Sequence, residues 1–103
     1  LRVPVLRKSF VKARASWQEK RDWVSCGDQL WAIRQDLTTQ MVRSPFAVEV
    51  YEFSARAALE AGDFRHFELC SSQLEELYDE HAAKNGARPP SAAEFAAYRL
   101  LWL

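Results

Sequence analysis

The chain has 103 residues, 14 basic against 14 acidic, with 49% hydrophobic and 13% aromatic side chains. That is one domain or part of one, long enough to bury roughly 60–70% of its unfolded surface. No apolar run reaches the length of about 18 residues that a membrane-spanning helix needs, and three Gly, four Pro and the lack of alternating Val/Ile/Thr runs argue against sheet.

Leu6, Phe10, Ala13 and Trp17 recur at helical spacing, with Lys8 and Lys12 opposite. Pro4 suits a first-turn position, so this helix is expected to start near it, with Ser9 as a less favoured cap. Arg7, Arg14 and Arg21 recur every seventh residue beside the apolar strip. Asp22 is a cap for a second helix running to about Met41, with Trp23, Cys26, Leu30, Ile33, Leu37 and Met41 on one side. Trp31 falls outside that strip and is expected to meet a partner helix or a missing part of the chain. Gly27 weakens the helix by about 1 kcal/mol, which suggests close packing there. Gln29, Arg34, Gln35, Asp36 and Gln40 make the middle of this helix unusually polar and are expected to form a hydrogen-bonded seam between helices. Arg34 and Asp36, two positions apart, do not face each other and each needs a partner elsewhere.

Ser44-Pro45 restarts the helix, Ser as N-cap and Pro at the first position. The stretch 50–78 then reads as two helices and a tight corner. Val50, Phe53, Ala57 and Ala61 share one face, while Tyr51, Ala55, Ala58 and Leu59 make a second strip, so this helix is expected to be covered on two sides. Gly62 supplies the left-handed stop and Asp63 the cap of the next helix, whose core positions are Phe67, Cys70, Leu74, Leu77 and Tyr78. That helix is expected to end near His81, followed by a loop to Pro90 with Asn85-Gly86 as its turn. Ser91 to Glu94 matches a capping box. Phe95, Tyr98, Leu101 and Trp102 form the apolar side of a last helix that the chain leaves uncapped, so an excerpt of a longer chain is expected, prone to self-association. The sum is an all-α fold of stacked helical hairpins, a TPR-like α–α superhelix.

Charge divides unevenly: residues 1–43 hold nine Lys/Arg against four Asp/Glu, and residues 44–103 hold five against ten. The sharper reading is a nucleic-acid face built from Arg14, Arg21, Arg34 and Arg43. The blander one is a set of solvated faces whose Arg stems cover apolar surface. No P-loop, G-x-S-x-G or H-E-x-x-H run appears, so no catalytic residue and no cofactor are expected. Cys26 and Cys70 read as buried thiols, with a disulfide between them as the alternative, and neither has His66 or His81 at zinc-ligand spacing, so no metal site is expected.

Five runs carry a family resemblance: IRQDLT-x-Q at Ile33 to Gln40, VEVYE at Val48 to Glu52, AR-x-ALE-x-GD at Ala55 to Asp63, F-x-x-C-x-x-QL-x-x-LY at Phe67 to Tyr78 and EF-x-x-YRLL at Glu94 to Leu101. In this order they resemble the SAC/GANP family, and the ALE-x-GD corner looks closest to the branch that includes leukocyte receptor cluster member eight and its fungal relatives. The resemblance implies a partial SAC/GANP-type helical domain over residues 1–103, the part that precedes a PCI winged helix absent from this chain. It also implies a non-enzymatic nuclear scaffold in mRNA processing, splicing or export. Its implied partners are a second PCI protein, a small acidic subunit and RNA or DNA, with no membrane and no small-molecule substrate. Arg34, Gln35 and Asp36 would be the family's RQD. An assembly subunit of the proteasome-lid, signalosome or initiation-factor type is the alternative, and a regulatory helical domain of an enzyme is the alternative of another class.

Overall fold

The computed structural model describes residues 2–102, without the side chain of Trp102. The expectations that touch Leu1, Leu103 and the Trp102 side chain lie outside the described residues. Five helices follow one another: α1 (Val3–Lys20), α2 (Trp23–Thr39), α3 (Pro45–Ala61), α4 (Phe64–Asn85) and α5 (Ser91–Trp102). No strand occurs among the described residues. Each helix packs against the next, most extensively α3 on α4, and α1 also meets α3. The molecule measures 38 × 35 × 19 Å, a slab two helices thick given a helix diameter of about 10 Å. Alternate helices are joined by long side chains: α1 to α3 by Arg14–Glu49 and Arg21–Glu60, α3 to α5 by Arg56–Glu94, α2 to α4 by Arg34–His66. This places α1, α3 and α5 in one layer and α2 and α4 in the other, the architecture of an α–α superhelix.

Local chemistry explains most boundaries. Pro4 lies in the first turn of α1, and Arg21 ends that helix in the left-handed conformation (φ 54°), its N–H donating to Trp17 O. The Asp22 carboxylate accepts from Ser25 N and opens α2. Between α3 and α4, Gly62 adopts φ 80° and the Asp63 N–H donates back to Ala58 O at 2.9 Å, a Schellman-type closure that only a residue without Cβ makes cheaply. Asp63 Oδ1 in turn accepts from His66 N at 3.0 Å.

Several boundaries differ from the sequence expectation. Ser44 stands at the N-cap of α3, but its hydroxyl makes no capping bond. The helix α4 passes His81 and continues to Asn85, because Ala82, Ala83 and Lys84 favour helix and Gly86 (φ 82°) supplies the stop. The capping box does not form: Ser91 lies inside α5, and Glu94 is drawn instead to Arg56. Ala61 and Leu101 are exposed, Leu101 to 75%.

The apolar side chains sort into two cores that share α3. The first joins Leu6, Phe10, Ala13 and Trp17 of α1 to Cys26, Leu30, Ile33 and Leu37 of α2 and to Phe46, Val50 and Ala57 of α3. The second joins Tyr51, Ala55 and Ala58 of α3 to Phe67, Cys70, Leu74 and Tyr78 of α4 and Phe95 of α5. Thus α3 is covered on two sides, as its two strips predict, and its buried alanines let both neighbours approach closely. Cys26 and Cys70 are buried free thiols, and burial pushes the Cys70 thiol up to about 11.

Candidate functional site

The residues singled out in the sequence do not converge on one spot. Arg14 donates to Glu49 Oε1 at 3.2 Å and lies over the Phe10 ring. Arg21 pairs with Glu60 and covers the Trp17 ring. Arg43, in the α2–α3 linker, clamps Glu80 through Nε and Nη2 at 2.8–3.2 Å, with Glu76 at 3.8 Å. That pairing holds the exposed Glu80 carboxyl below its ordinary value. These three basic residues of the first half therefore meet carboxylates of the second half. These pairs offset part of the charge asymmetry along the chain across helix interfaces.

Arg34 is different. It is only 6% exposed, and its Nη2 donates to His66 Nε2 at 2.6 Å. A guanidinium has no acceptor, so His66 accepts at Nε2 and carries its proton on Nδ1, which faces Asp63 Oδ2 at 3.8 Å. The same Asp63 oxygen accepts from Trp23 Nε1 at 2.9 Å. Burial, then the Arg34 charge, depresses the His66 pKa, which keeps the ring neutral at pH 7. The result is a chain from Arg34 through a neutral imidazole to Asp63, tying α2 to the corner before α4. Arg34 Nη1 and Ser71 Oγ are buried without a hydrogen-bond partner. One helical turn on, Thr38 Oγ1 and the Tyr51 hydroxyl are 3.1 Å apart.

The other members of the polar run go elsewhere. Gln29 Nε2 donates to Ser25 Oγ on its own helix, and Gln35 and Gln40 are exposed. Gln29 and Asp36 line an open groove of about 270 Å³ on the outer side of the α1–α2 hairpin, over a floor of Leu6 and Ile33 with Lys12 opposite. Only Arg34 of the five thus reaches into the interior. His66, its partner, had no visible role in the sequence because it stands 32 positions away.

A second tie joins α3 to α5. Arg56 donates to both oxygens of Glu94, at 2.7 and 2.8 Å, and the Tyr98 hydroxyl donates to Glu94 Oε2 at 2.7 Å. The Arg56 bonds hold the Glu94 carboxyl down at about 2. Nearby, the Tyr78 hydroxyl donates to Glu52 at 2.6 Å, and burial pushes its pKa far above the usual phenol value. These contacts are positional. Among the described residues no three or more His, Cys, Asp or Glu side chains gather as metal ligands would. No described helix is long and apolar enough to cross a membrane.

No protein-family model matches the chain, and no solved structure matches it. Curated relatives do. The chain is 47% identical over 100 residues to the leukocyte receptor cluster member 8 homolog of Xenopus laevis, a match covering 97% of this chain and 12% of that protein. It is 37% identical over 101 residues to a THP3 homolog of Schizosaccharomyces pombe, covering 98% of this chain and 24% of the relative. To SAC3 family protein A of Arabidopsis thaliana it is 41% identical over 99 residues, covering 96% of this chain and 9% of that protein. The chain therefore spans a small part of each relative's length. Nearly every residue of it aligns to each of these frog, yeast and plant proteins, and identity to the frog protein exceeds identity to the other two. The chain belongs to the SAC3/THP3-type family, the SAC/GANP group that its sequence runs resemble.

Proposed function

We propose that this chain is a helical scaffold segment of a nuclear protein acting in mRNA metabolism, holding partners rather than catalysing a reaction. The family membership together with the α–α array carries this reading. In the SAC/GANP resemblance such an array leads into a PCI winged helix and assembles with a second PCI protein and a small acidic subunit. The ion pairs favour a protein-assembly role over direct nucleic-acid contact by this segment. Arg14, Arg21 and Arg43 already have carboxylate partners, and Arg34 is buried. A phosphate would have to displace Glu49, Glu60 and Glu80 to reach them.

The test is affinity purification of the tagged full-length protein from nuclear extract, wild type beside Arg14→Ala/Arg43→Ala. Co-purification of a PCI protein and a small acidic subunit, with RNA recovery unchanged by the substitutions, is the expected result. Exclusion of the protein from the nucleus, or purification without such partners, overturns the reading. RNA loss in the double variant, with partners retained, reassigns these arginines to a nucleic-acid face.

A further inference from the structure

We propose that the cleft between α2 and the start of α4 is a docking notch for a cationic side chain, Arg or Lys, presented by a partner protein. The notch holds about 270 Å³ and is lined by Trp23, Gly27, Asp28, Trp31, Asp63 and His66. That volume admits one long side chain.

Four observations define its chemistry. Trp31 is 53% exposed, and neither its ring nor its indole N–H has a partner among the described residues. A large aromatic left in water on a well-packed helix is the informative kind of exposure, unlike a scattered Leu. Asp28 lies one turn before it, on the same side of α2, exposed and without hydrogen bond or ion pair among the described residues. A second indole lines the notch: a Cβ at Gly27 would stand 3.2 Å from Trp23 Cε2, so the glycine lets that ring pack closely against α2. At the back stands Asp63, whose carboxyl is held below its ordinary value, with bonds from Trp23 and His66 N among the stabilising causes.

The signs of charge choose the occupant. An indole face attracts cations, most strongly where water is partly excluded. Two carboxylates line the notch, and His66 beside them is neutral. Arg34, behind His66, is buried, and neither it nor Arg65 lines the notch. An RNA base would also stack on Trp31, but its phosphates would meet Asp28 and Asp63. A guanidinium or ammonium meets both the ring and the free carboxylate favourably. The surface is separate from the Arg14, Arg21 and Arg43 pairs, so the proposal stands independently of the nuclear mRNA reading.

Titration calorimetry of the full-length protein with an arginine-rich peptide tests this, beside a citrulline peptide of equal length and a single-stranded RNA. Circular dichroism checks that each variant is folded, which the exposed positions favour. The expected result is tighter binding of the arginine than of the citrulline peptide, weakened about tenfold by Trp31→Ala and about threefold by Asp28→Asn, with Trp31→Phe in between. Equal affinity for both peptides, or arginine-peptide binding unchanged in folded Trp31→Ala, overturns the proposal. So does Trp31-dependent RNA binding that exceeds peptide binding, which would make the ring a base platform. A dimer in sedimentation that Trp31→Ala dissolves overturns it as well, by showing that a second copy fills the notch.

Discussion

Two arginines hold alternate helices together, and they do so by different physics. Arg56, at 41% side-chain exposure, has a full carboxylate partner in Glu94. Arg34, a buried residue, has a neutral imidazole and reaches the Asp63 carboxylate only through it. The more exposed cation thus has the better electrostatic partner. The buried one has its guanidinium carbon 5.9 Å over the Tyr51 ring, and packing of the long side chain has to offset the desolvation of a charge that lacks a direct counter-ion.

The sharpest break of this comparison is truncation. Arg34→Ala is expected to lower stability by about 3 kcal/mol, as a buried long side chain leaves a cavity. Arg34→Met should recover more than half of that, and denaturant midpoints decide it. No recovery would mean that the charge, not the stem, matters. Next in size is Asp63→Ala, about 2 kcal/mol, because it removes both the cap at His66 N and the acceptor of the Trp23 indole. Glu94→Gln follows at about 1 kcal/mol, discounted for the exposure of the pair.

Acid should separate the two ties without mutation. The folded His66 pKa lies below its ordinary 6.5, so the unfolded chain binds the proton first. The contribution of the neutral ring is intact above about 6.5 and is lost as pH falls from there through the folded value. Glu94, held at about 2 against an ordinary 4.5, keeps its contribution above 4.5 and loses it between there and about 2. Denaturation midpoints from pH 8 to 2.5 should show an upper limb absent in His66→Gln and a lower limb reduced in Glu94→Gln. The smallest effect belongs to Arg14→Ala, below about 0.5 kcal/mol, since its pair with Glu49 is open to solvent.

What the sequence made legible was local. Pro4, Asp22, Pro45, Gly62 and Asp63 each act within a turn of themselves, and they mark helix boundaries in the structure. The two strips of α3 were readable for the same reason, since periodicity is a property of one helix. What was hidden involved distant partners. Glu94 looked like half of a capping box because Arg56, 38 positions earlier, gives no local sign of claiming it. Arg34 and Asp36 were both counted in a polar seam from the composition of the run, yet one is buried and the other lines a groove. The charge asymmetry was counted along the chain, which gives no sign that the fold pairs Arg14 with Glu49 and Arg43 with Glu80. Trp31 could be read as unaccommodated, since leaving the strip is itself a local fact.

The sharing of α3 between both cores has a topological consequence. Ala47, Ala57 and Val50 face one core while Ala55 and Ala58 face the other. Melting this one helix would remove a wall from each, so neither half has a route to opening that leaves the other whole. Amide protons of residues 46–58 should therefore exchange last, and together, only through global unfolding. A scaffold organised this way transmits load instead of yielding in pieces: a pull applied at α1 would be felt at α5 before any single hairpin let go.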